Sequence, residues 1–225
     1  MIAAFFRALG QLTDPPVRRV LWRSIALSLL LIILLVTGLY ALLAAVQVTG
    51  LVWLDTTIDV LGGLGALVGA YFLFPAVVGM VAGFFLDAVA DAVEARHYPG
   101  LPPARSLGMG ETVLAALRFF AILAIANLAA LALVYLIPVL NLIVFYVLNG
   151  YLLGREYFEL VALRRMPAAE AAAFRKRHGG RIFMAGAVVA LVLSIPIVNL
   201  IVPILGTAFM VHIFQGLVSK FSQHG

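Results

Sequence analysis

No cysteine occurs anywhere in the 225 residues. That excludes disulfides, iron–sulfur clusters and thiol catalysis. Charge is almost as scarce: Asp, Glu, Lys and Arg make up 11% of the chain, against about 25% in a soluble domain. The sequence has no Walker loop, no dinucleotide-binding glycine fingerprint and no Gly-x-Ser-x-Gly elbow. No group of His, Asp and Glu has metal-ligand spacing. An enzyme is therefore not expected, nor a metal or organic cofactor. What fills the chain instead is apolar: 64% of it is hydrophobic. A surface that greasy does not stay in water, so the core is set by the lipid bilayer. The net charge of +5 then reads as basic loops holding cytoplasmic helix ends against anionic headgroups, not as a nucleic-acid footprint.

The fold expected is an all-α membrane protein in one integral domain, residues 1–225. Residues 1–19 are mildly amphipathic, with Phe5, Phe6, Leu9 and Leu12 on one side, and read as an interfacial helix. Residues 20–98 read as two long transmembrane helices. Asp14 suits an N-cap and Pro15 a first helical position. The run from Ser24 to Val46 carries no charge. At about 1.5 Å per residue it crosses a hydrocarbon core of about 30 Å. It begins past residue 20, so it reads as a span and not as a cleaved leader. A second apolar stretch runs from Val60 to Leu86. Its glycines at 62, 65, 69, 79 and 83 have helix-packing spacing, and Pro75 is a candidate kink. With no breaker before Pro99, this helix is expected to continue past the membrane.

Residues 99–110 form a loop. Beyond it the sequence repeats itself: 137–144 read IPVLNLIV and 195–202 read IPIVNLIV. Each lies between two apolar limbs. The repeat predicts two Pro-Asn helical hairpins, 111–163 and 182–221, with Pro138 or Pro196 ending the first limb and Asn141 or Asn199 capping the second. A basic linker, 164–181, joins them. The limb from Ile182 to Ile195 makes only about 21 Å of helix, short of the bilayer core. The second hairpin is therefore expected to dip in and return, whereas the first has a limb long enough to reach across. All fifteen Lys and Arg then fall on the side of the N-terminus, whichever depth the hairpins reach. By the positive-inside rule that side, with both termini, is cytoplasmic.

The segment PPVRR, residues 15–19, places Arg18 and Arg19 at a helix N-terminus, whose free amides and dipole favour an anion. It reads as a tetrahedral oxyanion site or as a positive-inside anchor. Asp87, Asp91 and Glu94 share one helix face. They read first as a solvated helix end, and otherwise as partners for the basic linker or as proton carriers. Glu156 and Glu159, beside Arg155, are interfacial or mark a buried polar site. Arg118 snorkels, and His212 reads as a satisfied buried histidine.

The P-V-R-R helix start, the long second helix ending in DAVEARHYPG and the two IP-x-x-N hairpins together resemble the CysZ sulfate permeases. These share a domain with the etoposide-induced 2.4 membrane proteins. The likeness runs from about residue 8 to 218. It implies a multi-pass protein of the bacterial inner membrane that takes up sulfate for cysteine biosynthesis, working as a homo-oligomer. It implies two long transmembrane helices and two hairpins that enter the membrane part way. It also carries a sulfate-associated Gly-Leu/Ile-Arg motif onto Pro16, Val17, Arg18 and Arg19, giving Val17, Arg18 and Arg19 as sulfate-binding residues. Glu94 and Arg96 match two family charges, as a polar pathway or structural ion pairs. The departure is Pro16, which replaces the glycine and donates no amide. Two further readings stand beside uptake: a non-transporting membrane scaffold or assembly protein, and a channel for another small anion.

Overall fold

In the computed structural model the described residues are all but 46–51, 106–107, 137–140, 196–197 and 223–225. Among them every regular element is helical. The order is α1 (Ile2–Gln11), α2 (Pro15–Ala45), α3 (Val52–Gly83), α4 (Leu86–His97), α5 (Met109–Leu136), α6 (Asn141–Leu163), α7 (Ala168–Arg177), α8 (Gly179–Leu193), a 3₁₀ turn (Val198–Ile201) and α9 (Val202–Ser222). The chain divides into two compact units, one of residues 18–85 and one of residues 1–17 with 86–225.

The unit of residues 18–85 contains α3 and all of α2 beyond its first turn. Val20, Ser24, Ser28 and Ile32 form a buried stripe on α2, at the three- and four-residue spacing of one helix face. The two hydroxyls lie in that stripe at no hydrogen-bond cost. Ser24 Oγ donates to Val20 O at 3.0 Å and Ser28 Oγ to Ser24 O at 2.6 Å. The rest of α2 exposes Leu30, Ile33, Leu34 and Leu35, a surface suited to lipid. In α3 the segments Val60–Phe74 and Val77–Gly83 meet at 42°. The kink expected at Pro75 is there, where a proline removes the backbone bond and crowds the preceding turn.

The long continuous second helix is corrected. It ends at Gly83, where Phe84 N–H donates to Val81 O and Phe85 N–H to Ala82 O. These tighter, three-residue bonds end the α ladder after a residue of poor helix propensity, and α4 begins afresh at Leu86. A side chain at Gly65, Gly69 or Gly83 would meet nothing within 4 Å, so among the described residues no helix makes the close approach that these glycines permit.

In the other unit α9 is the central helix, packed by α1, α4, α6 and α8. Phe158, Phe174 and Phe214 join α6, α7 and α9 with ring centroids 5.8–6.1 Å apart. The closest packing is between α6 and α8. A Cβ on Gly186 would lie 2.0 Å from Gly150 O and 2.6 Å from Gly154 Cα, so the two backbones meet directly. The N-terminal helix is not merely interfacial. Phe5 stacks edge-on against Phe209 at 5.6 Å, Ala8 and Gln11 are buried, and Phe6 remains outside.

The turn residues Pro138 and Pro196 lie outside the described residues. The described part of helix α6 runs from Asn141 to Leu163. In the second hairpin Asn199 sits inside the 3₁₀ turn, its N–H donating to Ile195 O at 2.9 Å, so it does not cap α9. By length and composition, Pro15–Ala41, Val113–Leu131 and Val198–Ser219 can each cross a membrane, and the bent α3 adds a fourth if it counts as one span. Helix α8, with 15 residues, makes only about 22 Å. The short limb of the second hairpin is therefore as expected, but its partner limb is long. The chain is a multi-pass α-helical membrane protein.

Candidate functional site

The start of α2 is built by a tight approach. Thr13 Oγ1 donates to Gly10 O at 2.7 Å and Asp14 N–H to Gln11 O at 2.9 Å, which turns the chain into Pro15. Pro15 and Pro16 have no amide to offer. The Arg18 N–H has the Asp14 carbonyl as its helical acceptor, so Val17 carries the one orphan amide of this end. Val17 itself is buried, whereas Arg18 and Arg19 are exposed. Neither arginine has an ion-pair partner among the described residues. Successive helical residues do not share a face, so an anion here is gathered by two long flexible stems rather than by a rigid cradle.

Asp14 stands just before the first residue of α2, where an N-cap was expected. Its carboxylate pairs with Arg96. Arg96 is mostly exposed, and the pair links the approach to α2 with the end of α4.

The acidic stripe of α4 is the second polar centre, and it pairs with the basic linker, the alternative the sequence offered. Arg164 Nη1 lies 2.8 Å from Asp87 Oδ1, and the same guanidinium pairs with Asp91 and lies 3.5 Å from Glu94 Oε2. Arg165 Nε donates to Glu94 Oε1 at 3.0 Å, and its terminal nitrogens reach Glu94 and the Pro102 carbonyl. Glu94 and Arg164 are buried, while Asp87 and Asp91 are 75% and 63% exposed. Burial works against the Arg164 charge, yet the bonds to Asp87 and Asp91 and the Glu94 charge outweigh it and raise its pKa. The hub fastens α4 and the following loop to the end of α6, where Arg105 N–H also donates to Arg164 O at 2.8 Å. Glu94 and Arg96 therefore each sit in an ion pair, but not with one another.

A third group is spread along α6 and α7. Glu159 Oε1 lies 2.9 Å from Arg155 Nε and 3.6 Å from Arg175 Nε, whereas Glu156 is exposed. His212 is buried, as expected, but only one of its two ring nitrogens is satisfied among the described residues. Its Nδ1 shares a 2.9 Å hydrogen bond with the Tyr98 hydroxyl, and its Nε2 has no partner. Arg118 is exposed, consistent with snorkelling.

Sequence reasoning ranked the pairing of the α4 stripe with the basic linker second, and it missed the α6–α8 backbone contact. Gly150 and Gly154 stand four apart, the same small-residue signal given weight elsewhere. No curated protein and no solved structure matches the chain. The family model "Sulfate transporter CysZ/Etoposide-induced protein 2.4" matches residues 4–203. That is most of the sequence, and the chain belongs to this family.

Proposed function

We propose that this protein is a non-enzymatic permease or channel for sulfate, supplying it for cysteine biosynthesis. It works as a homo-oligomer in the bacterial inner membrane with both termini cytoplasmic. The observation that carries this reading is Arg18 and Arg19, exposed and free of ion pairs among the described residues, opening a membrane-length helix in a chain of the sulfate transporter family. Their guanidinium groups make charge-assisted bonds suited to a tetrahedral dianion, and the Val17 amide adds one donor at the positive helix end. Glu94 and Arg96 serve this reading as structural ion pairs that hold α4 in place, not as steps along a path.

The test is labelled-sulfate uptake into proteoliposomes by the wild type and by Arg18→Ala/Arg19→Ala. Uptake by the wild type alone is expected. Equal uptake by both would remove these residues from the mechanism, and no uptake by either would count against transport. A specific observation favours a second reading, a channel for another small anion. Pro16 leaves the site one amide where the family glycine would add another. An anion panel in the same vesicles separates the two. A scaffold without transport gives no flux of any anion.

A further inference from the structure

Between α6, α7 and the start of α8 lies a cavity of about 410 Å³. Its charged lining is entirely cationic: Arg155, Arg175 and Lys176, with the Gly179 backbone at the first turn of α8. Tyr151 and Phe183 supply apolar wall. Arg155 is buried, with 8% of its surface exposed. Its Nε lies 2.9 Å from Glu159 Oε1 as an ion pair but makes no hydrogen bond among the described residues, and the residue lines the cavity. The Arg175 Nε is likewise buried without a hydrogen bond, and Lys176 is exposed with no ion-pair partner among the described residues. One carboxylate, Glu159, stands against three cations. Two guanidinium groups that share a single carboxylate leave donors for a further anion. Basic residues at the end of α7 are explained by that helix's own dipole, but the cavity also gathers Arg155 from α6.

The end of α8 adds a second sign of positive potential. Its first amides have no side-chain cap from His178 and present the positive helix end. His178 itself titrates below its ordinary range, through burial and then the charges of Arg181 and Arg177.

We propose that this cavity binds a tetrahedral phosphate-type oxyanion. Guanidinium groups at Arg155 and Arg175 would share its oxygens, Lys176 would act as a mobile point charge, and the α8 amides would close the far side. The volume is in the range of sites for small organic molecules, larger than a bare sulfate needs. The shared chemistry is a phosphate group, free or carried on an anionic lipid headgroup, which basic pockets between membrane helices accept. This site is separate from Arg18 and Arg19, and the inference does not rest on transport.

The experiment uses the full chain carrying Arg18→Ala/Arg19→Ala, which silences the other anion site. Thermal unfolding in detergent is followed while sodium phosphate or sodium sulfate replaces sodium chloride at constant ionic strength. In parallel, nanodiscs of phosphatidylglycerol are compared with phosphatidylcholine, and retained lipid is counted by native mass spectrometry. A rise with free phosphate or sulfate identifies a soluble ligand. Stabilisation and retention by phosphatidylglycerol alone identify a lipid. In either case Arg175→Ala/Lys176→Ala should weaken the response at least about tenfold, as expected for losing charge-assisted bonds. No selective response to any of these probes overturns the proposal, as does a response that the added substitutions leave unchanged. Should the double substitution unfold in chloride, Lys176→Gln, at an exposed residue, decides in the same way.

Discussion

Substituting Gly186 by alanine puts the packing of α6 on α8 to its sharpest test. The added Cβ would stand 2.0 Å from Gly150 O, 2.4 Å from Gly154 N and 2.6 Å from Gly154 Cα. All three atoms are backbone, so none can swing aside. Restoring an ordinary carbon–carbon contact of about 3.5 Å requires α8 to retreat by roughly 1 Å. Overpacking of this kind costs about 1–3 kcal/mol or more. Alanine's better helix propensity offsets at most about 1 kcal/mol. A net loss near 2 kcal/mol lowers the unfolding midpoint by about 4–8 °C in a chain of this size. The control is Gly180→Ala in the same helix, where a Cβ meets nothing within 4 Å and only the propensity gain remains. Differential scanning fluorimetry in detergent, with both variants beside the wild type, gives the answer. A Gly186→Ala protein as stable as the wild type, or ranked above Gly180→Ala, would refute the backbone contact.

Glu94→Gln leaves buried Arg164 with only its two exposed carboxylates and strips Arg165 of its charge partner. Breaking a buried pair costs about 3–5 kcal/mol, and since Asp87 and Asp91 remain, the lower end is expected in a denaturant or thermal melt. Asp14→Asn, whose partner Arg96 is 59% exposed, should change stability by less than about 1 kcal/mol, measured in the same melt. Phe158→Ala empties the centre of the Phe158–Phe174–Phe214 cluster and should cost about 3–5 kcal/mol; a loss below about 1 kcal/mol would mean that the cluster collapses to fill the gap.

Local signals were readable from the sequence, and long-range partnerships were not. The bend at Pro75 and the short limb of α8 depend on one residue type or one run length, and both are where the residues put them. The break after Gly83 was hidden because Phe84 and Phe85 are apolar and continue the hydrophobic run; nothing in composition marks a tighter turn. The acidic stripe of α4 was visible as a stripe, but its partners stand some seventy residues later in the chain, and a face of carboxylates looks the same whether it meets water or Arg164. Glycine spacing is ambiguous for the same reason. Small-residue spacing says that a helix permits close approach, not that a neighbour comes: Gly65 and Gly69 permit it and meet no neighbour among the described residues, while Gly150 and Gly154 receive Gly186. At the anion site, Arg18 and Arg19 were legible as exposed cations, but the engagement of Asp14 by Arg96 was not.

Helix α9 carries a consequence for how the chain tolerates change. Its apolar stretch is long enough to span a bilayer, yet 78% of it is buried within the protein, against 11% for α2 and none for α5. The three are alike in hydropathy but differ in how much of each the chain itself covers. Where lipid covers the exposed faces of α2 and α5, fluid acyl chains refill any shape, so exchanges there among Leu, Ile, Val and Phe should pass almost unnoticed. On α9 the neighbours are fixed side chains, and the same exchanges open holes or force overlaps. A saturation library of this protein should therefore divide its greasiest segments into a permissive class and an intolerant one, a division that hydrophobicity alone does not draw.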